Sequence, residues 1–463
     1  MPAIAHRLAE LIHAVTWQDL PAEAVHWAKI GILDTIAVTL AGAPEPCTRV
    51  ALRLPGVADA QGPALVYGGP RTSILDAALI NGIASHALDF DDVNNHIGGH
   101  PSVPLVPAIF AIADASSSGA GVSGRDAIVA YVAGFETETR IGRGVNHAHY
   151  EKGWHPTATL GIFGTTAASA RLLGLEPAQT ATALAIAVSL ASGVKANFGT
   201  MTKPLHVGHS VRNGVLACLL ARDGFTANEA AFEHHQGFLQ VFNGENAHDM
   251  ERGLAEWAKP WDVIAPGPNL KQFPCCGSTH GAINAMLALR QRHNIAPEDV
   301  ETIEVLTAPR RLPHTNNPDP KSGLEAKFSV HYVTARALID GAVRLQHFEA
   351  GAENAAQPRA LMPKITAGIH PDMADPDHDG YGAEVIVKMK NGEVMRHLVD
   401  GDVLRGPGNP MSDAEMFEKF ADCAARAMAP SEVSALYERL MTLELVGDAK
   451  SVSDMIEGAA AIR

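Results

Sequence analysis

Four stretches of this sequence gather side chains that can move a proton or hold an anion. The first runs His86-Ala-Leu-Asp89-Phe-Asp91-Asp92-Val-Asn-Asn-His96-Ile-Gly98-Gly99-His100-Pro101-Ser102. Periodicity predicts a helix from Ile74 to Asp89, so its last turn is crowded with carboxylates. Negative charge at a helix C-terminus is unfavourable by about 0.3–1 kcal/mol per group, so the crowd marks either a solvated end or a site. Gly98-Gly99 frees the backbone to present His100 on a loop. Asp and His from this stretch could also ligate a metal, but the spacing matches no strong metal motif, so acid–base use ranks above it and no metal is assigned.

The second stretch, Trp154-His155-Pro156-Thr157, holds a His in a Pro-fixed loop ahead of a small-residue helix. Such a His, taken alone, is more often a satisfied structural group. The nearby His147, His149 and Tyr150 raise the local density of titratable side chains. The third is Thr202-Lys203-Pro204-Leu205-His206-Val-Gly208-His209-Ser-Val-Arg212. Pro204 fits a first helical turn and sets Lys203 at the N-terminal mouth, where free N–H groups already attract anions. A lysine there does nothing for the helix and suits a bound carboxylate. His209 and Arg212 are read as packed or exposed. The fourth, Lys271-Gln-Phe-Pro274-Cys275-Cys276-Gly277-Ser278-Thr279-His280, is a rigid loop entering a helix. Adjacent cysteines are no zinc pair, and small buried packing explains at least one of them.

The elements that must position these groups are mostly helical. The chain has 463 residues, 46% hydrophobic and 19% charged, enough for two to four domains or one large domain with a smaller one. Its 36 Lys+Arg against 51 Asp+Glu argue against nucleic acid as the main partner. No unbroken apolar run is long enough for a membrane helix, and the N-terminus reads as amphipathic helix rather than signal peptide. The sparse cysteines contain no C-x-x-C pair. These features suggest a cytoplasmic protein. Gly119-Ala-Gly121-Val-Ser-Gly124 matches a dinucleotide fingerprint, but the helical segment before it favours a helix-to-helix link.

Helical periodicity dominates residues 1–265, with capping patterns at Ser123–Asp126 and Thr226–Glu229 and a stop at Gly224. Strand signals begin near Pro266: VETIEVL from Val300, then a hairpin of two alternating runs about Asn391-Gly392. Helices are predicted at 279–293, at 325–341 and, after the cap Ser412–Glu415, to about 442. The expected fold is mainly α. It comprises a large all-helical domain (1–265, completed by C-terminal helices 405–463) and a smaller α+β domain (266–404).

In order along the chain, GILDTIAVTLAGA (31–43), HALDFDD with GHPS, GWHPTATLG, TKPLHVGHSVRNG, KQFPCCGSTH, KFSVHY (327–332) and GNPMS (408–412) resemble the MmgE/PrpD superfamily. That family includes 2-methylcitrate dehydratase, cis-aconitate decarboxylase and iminodisuccinate epimerase. The resemblance implies the same two-domain fold, a homodimer, and proton movement at a carbon beside a carboxylate with no organic cofactor or obligatory metal. It implies Asp89 and His100 in the cleft, His155 as an acid–base group, and Lys203 holding or polarising a substrate carboxylate. Lys271 and Tyr332 would contribute from the smaller domain, with His206, Tyr150, Asp91 and Cys276 as further substrate contacts.

Two positions depart from the pattern: Val93 stands where several members have Thr, and Cys276 where decarboxylating members carry His. The leading expectation is therefore a hydro-lyase acting on a di- or tricarboxylate such as 2-methylcitrate. An amino- or imino-dicarboxylate epimerase comes next, then a cis-aconitate-type decarboxylase. A scaffold without catalysis is disfavoured by the Asp, His and Lys at the motifs.

Overall fold

A computed structural model of the chain describes residues 2–57, 60–116, 121–375, 378, 380–401 and 403–458. The chain divides into two compact units, one running to Leu270 and resuming at Ser412, the other spanning Lys271–Met411. The observed breaks lie five and seven residues beyond those expected at 265 and 404.

The first unit is almost entirely helical, apart from the short antiparallel ladder Ala64–Leu65 with Arg71–Thr72. Its centre is the pair Ile74–His86 and Thr202–Arg222, the most extensively packed helices in the unit. Ile74–His86 starts at Ser73, whose hydroxyl accepts the Asp76 N–H, and is buried along most of its length. A helix apolar on all sides belongs inside a core. The pair comes together at Gly82 and Gly208: a Cβ on Gly82 would lie 2.7 Å from the Gly208 Cα, and one on Gly208 would strike the Leu79 carbonyl. That approach brings the end of one helix, His86, alongside the start of the other, Lys203.

The helix Ala22–Gly42 is long and apolar enough to cross a bilayer, which the sequence reading did not register. In the structure it is largely buried within this unit, with Asp34 ion-paired to Lys419 from the returning segment. Helices Asp413–Ala424, Pro430–Met441 and Lys450–Gly458 complete the unit.

The second unit carries a four-stranded sheet in the order Ile365–Ile369, Val300–Thr307, Ala383–Met389, Val394–Val399. The first pair is parallel and the others antiparallel. Helices His280–His293 and Val330–Asp340 pack with it around one apolar core. The hairpin forms at Asn391-Gly392, with Gly392 at φ +89°. The strand Ile365–Ile369 carries no alternating pattern and was not anticipated. The expected helix over 325–341 is split into Gly323–Lys327 and Val330–Asp340 because Ser329 caps the second piece, accepting the Tyr332 N–H.

Two further expectations need correction. Thr226–Glu229 opens no helix; the stretch is irregular chain that enters a turn at Glu229. The helix predicted to reach Asp89 ends at His86, and Asp89 adopts a left-handed conformation at φ +53°. Asp tolerates that region better than most residues, and leaving the helix removes its carboxylate from the negative dipole end. Gly119 of the fingerprint match lies outside the described residues; the flanking helices are Val106–Ala115 and Gly124–Val145.

Adding a methyl group at the helix crossing should be costly. Gly208→Ala is expected to lower unfolding free energy by about 1–3 kcal/mol, the usual penalty of overpacking. Urea titration checks this; parental stability would mean the helices have room to spare.

Candidate active site

Beyond His86 the chain makes a compact loop whose side chains are fixed one by one. Asn94 is the pivot. Its N–H donates to the Gly99 carbonyl, its Oδ1 accepts the His96 N–H, and its Nδ2 donates to the Gly267 carbonyl. Val93 and Asn269 exchange backbone hydrogen bonds. Gly98 turns at φ +65°, and a Cβ on Gly99 would sit 2.9 Å from the Thr157 nitrogen. The loop therefore lies against the helix start at Pro156, and the His100 N–H donates to Thr157 Oγ1 at 3.1 Å. Two sequence-distant motifs, GHPS and WHPT, meet at this contact.

At the centre is Asp91, fully buried, whose Oδ2 lies 2.8 Å from His86 Nδ1 and 2.9 Å from His100 Nδ1. The imidazoles flanking it hold the Asp91 carboxyl well below the usual carboxylate range despite burial. His100 turns its other nitrogen to within 3.6 Å of Asp89 Oδ1. Lys203 Nζ donates to that same Asp89 oxygen at 2.6 Å. His155 closes the group: its ring centre is 5.6 Å from that of His86, and its Nδ1 is 3.2 Å from His206 Nδ1.

Burial above all, with the neighbouring His86 ring and the Lys203 ammonium, pushes the His155 imidazole well below its ordinary value. Burial pushes His86 down to about 4. Both rings are thus neutral bases near neutral pH. Their Nε2 atoms are buried without a hydrogen-bond partner among the described residues.

The sequence-predicted residues of the first unit divide by place. Asp89, Asp91, His100, His155, Lys203 and His206 come together in one cluster. Tyr150 is 40% exposed and stacks under Lys195, whose Nζ lies 3.3 Å from the ring centre, so its ring has a surface partner of its own. His149 is buried between Asn243 Oδ1 and Thr159 Oγ1, a satisfied structural imidazole. His209 is engaged with Asn213.

In the second unit Lys271 is buried and Cys276 partly so. The Cys276 N–H donates to the Lys327 carbonyl, and Cys275 is buried, its thiol pushed up to about 12 by desolvation. Tyr332 lies in the core of that unit. Its hydroxyl donates toward the His347 carbonyl at 2.5 Å, lies 3.1 Å from the Ala352 carbonyl, and accepts from Arg336 Nε. The expectation that it touches substrate meets a physical obstacle: those bonds already occupy its hydroxyl.

Three participants escaped the sequence reading. His86 was quoted as the start of a motif but given no role; its signal was a His in the last helical turn, five residues before Asp91. Phe198 meets His155 edge-on at 4.9 Å, with Lys203 Nζ 5.3 Å from its ring centre. Asp92 is buried and accepts from Ser102 Oγ at 2.6 Å, and that hydroxyl lies 2.6 Å from Tyr131 OH.

His86, Asp89, Asp91 and His100 place one potential ligand atom each within 4.8 Å of one another. In kind they suit a divalent cation, but the two carboxylates already have partners. Asp91 faces two imidazoles and Asp89 an ammonium, so Lys203 supplies the positive charge at this place. The arrangement can grip an anion at the ammonium and the adjoining helix N-terminus, and exchange a proton with it through imidazole.

Burial pushes the Asp92 carboxyl up to about 8. An unfolded Asp releases its proton near pH ~4, so between roughly pH 4 and 8 the folded protein holds one proton more. This group therefore costs stability increasingly as pH rises through that window. Asp92→Asn should gain stability relative to the parent as urea titrations move from about pH 5 to pH 8. A difference independent of pH would refute the protonated carboxyl.

Comparison with known proteins places the chain in a family. Residues 6–251 match the model of the MmgE/PrpD N-terminal domain and residues 273–443 that of the MmgE/PrpD C-terminal domain. Human cis-aconitate decarboxylase is 29% identical, over 99% of this chain and 95% of that protein. A cis-aconitate decarboxylase-like protein of Aspergillus oryzae is 30% identical, over 97% of each. The cis-aconitate decarboxylase of Aspergillus terreus is 27% identical, over 97% of this chain and 95% of its own length.

Proposed function

The chain belongs to the MmgE/PrpD family, and on that premise we propose that it is a lyase breaking a bond at the carbon beside a carboxylate of a tricarboxylate. The observation that carries this reading is the Lys203–Asp89 ion pair set against two neutral, buried imidazoles. A substrate carboxylate sharing Lys203 with Asp89 sits at a helix N-terminus, where developing enolate charge is stabilised. His155 is placed to take or return the proton. His100, held at one nitrogen by Asp91 and facing Asp89 with the other, is placed to hand over a proton on the opposite step.

Loss of carbon dioxide from a cis-aconitate-type substrate is the leading reaction, supported by the activity named for the relatives. The C–C bond breaks to release carbon dioxide, its electron pair shifts the double bond by one carbon, and the far carbon takes a proton handed over by His100, which is replenished from solvent. Dehydration of a hydroxytricarboxylate such as 2-methylcitrate is the second reading, favoured by Cys276 standing where the family resemblance places a His in decarboxylating members. There the base removes a C–H proton and the acid protonates the departing hydroxide. The epimerase alternative would return substrate labelled from deuterated water. The homodimer implied by the resemblance and the cytoplasmic setting read from the sequence are kept with this proposal.

The test is an assay of the purified chain with cis-aconitate and with 2-methylcitrate, following carbon dioxide release and ultraviolet absorbance. Carbon dioxide from cis-aconitate is the expected result; a new ultraviolet-absorbing alkene from 2-methylcitrate, without carbon dioxide, would establish the second reading. Lys203→Ala and His155→Ala should each lower turnover by about 10²–10⁴, the usual scale for a lost acid–base or charge-stabilising group. Parental rates in both variants would remove the site.

A further inference from the structure

Lys419 belongs to none of the sequence motifs and lies in the segment that returns to the first unit after Ser412. Its helix, Asp413–Ala424, begins with a capping box at Ser412 and Glu415 and buries Lys419 on its inner face. The ammonium is enclosed: Lys419 is 3% and Asp34 1% exposed at their side chains. Nζ lies 2.6 Å from Asp34 Oδ1, donates to the Phe90 carbonyl at 3.1 Å, and stands 4.2 Å from the centre of the Phe90 ring. Phe90 is the residue between Asp89 and Asp91, and Asp89 is the residue held at positive φ.

We propose that Lys419 is a positioning residue for the catalytic carboxylates, acting through the Phe90 carbonyl. The proposal rests on the functional reading above and adds a residue to it. Two ammonium groups then fix one short stretch of chain: Lys203 takes the side chain of Asp89, and Lys419 takes the backbone one residue on. An apolar pair of similar volume often replaces a buried ion pair with little loss of stability. Asp34 and Lys419 are consequently not required for packing alone. What an apolar pair cannot do is donate to a buried carbonyl, which would otherwise be left without a partner. With that bond gone, the left-handed turn at Asp89 relaxes, and Asp89 and Asp91 lose their register against Lys203, His86 and His100.

The experiment separates positioning from stability with a neutral double variant, Asp34→Asn with Lys419→Met. Lys419→Met alone leaves Asp34 buried without its cation and should lower both melting temperature and turnover. The double variant should recover most of the melting temperature, while kcat stays down about a hundredfold, the scale of a 1 Å misplacement. KM should remain within about threefold, because Lys203 is untouched.

A readout independent of turnover is the nitrogen-15 NMR signal of the His86 and His100 Nδ1–H groups facing Asp91. These should be present in the parent and absent or shifted in the double variant. Recovery of parental kcat and parental imidazole signals in the double variant overturns the proposal and makes the pair purely structural. If the parent turns over no tricarboxylate, the functional reading fails, and the imidazole signals alone decide the role of Lys419.

Discussion

The Asp91 carboxylate, sealed from water between His86 and His100, is the interaction on which the site depends. A lone buried charge is expensive, and this one is tolerated because two imidazoles approach the same oxygen. In exchange it fixes both rings. With one nitrogen of each ring turned to Asp91, the directions of the remaining nitrogens are set. His100 must then face Asp89, and His86 must face inward toward His155. A third group orienting a proton-transfer residue is the logic of a catalytic triad, applied here to two imidazoles at once.

Around that anion the protein arranges charge with economy. Asp89 is balanced by Lys203, and Asp34 by Lys419. Asp92, adjacent to Asp91, has no cationic partner among the described residues and is driven to its neutral form, its hydrogen bonding met by Ser102. Glu138, buried with both oxygens lacking a hydrogen-bond partner among the described residues, is likewise pushed upward by desolvation. In this region the carboxylates kept ionised are those facing cations or imidazoles.

Much of this was legible in the residues. Lys203 could be placed because Pro204 marks a helix start, and a cation at that end has no structural purpose. The Asn-Gly hairpin and the helical first unit followed from period and turn chemistry. What was not legible depended on turns and distance. Asp89 looked helical because helical periodicity does not register a single left-handed residue, and the His86–Asp91 bond exists only once that turn has formed. Tyr332 sits within a helical pattern that cannot show where its hydroxyl points. Lys419 donates to a carbonyl 329 positions earlier, and a lysine in an amphipathic helix gives no hint of a buried partner. The strand Ile365–Ile369 is recognisable only by its parallel pairing with Val300–Thr307.

The first unit is discontinuous, and that has a consequence for how the protein comes into being. During synthesis the chain up to Leu270 emerges first, then the whole of the second unit, and only then the residues after Ser412. Domains generally fold as they leave the ribosome, N-terminal part first. The nascent helical layer must wait through the translation of 141 residues before Lys419 reaches Asp34 and the Phe90 carbonyl. The first unit is thus completed only by the chain's last helices, and a polypeptide released early carries Asp89, Asp91 and Lys203 yet lacks the Lys419 contact to the Phe90 carbonyl.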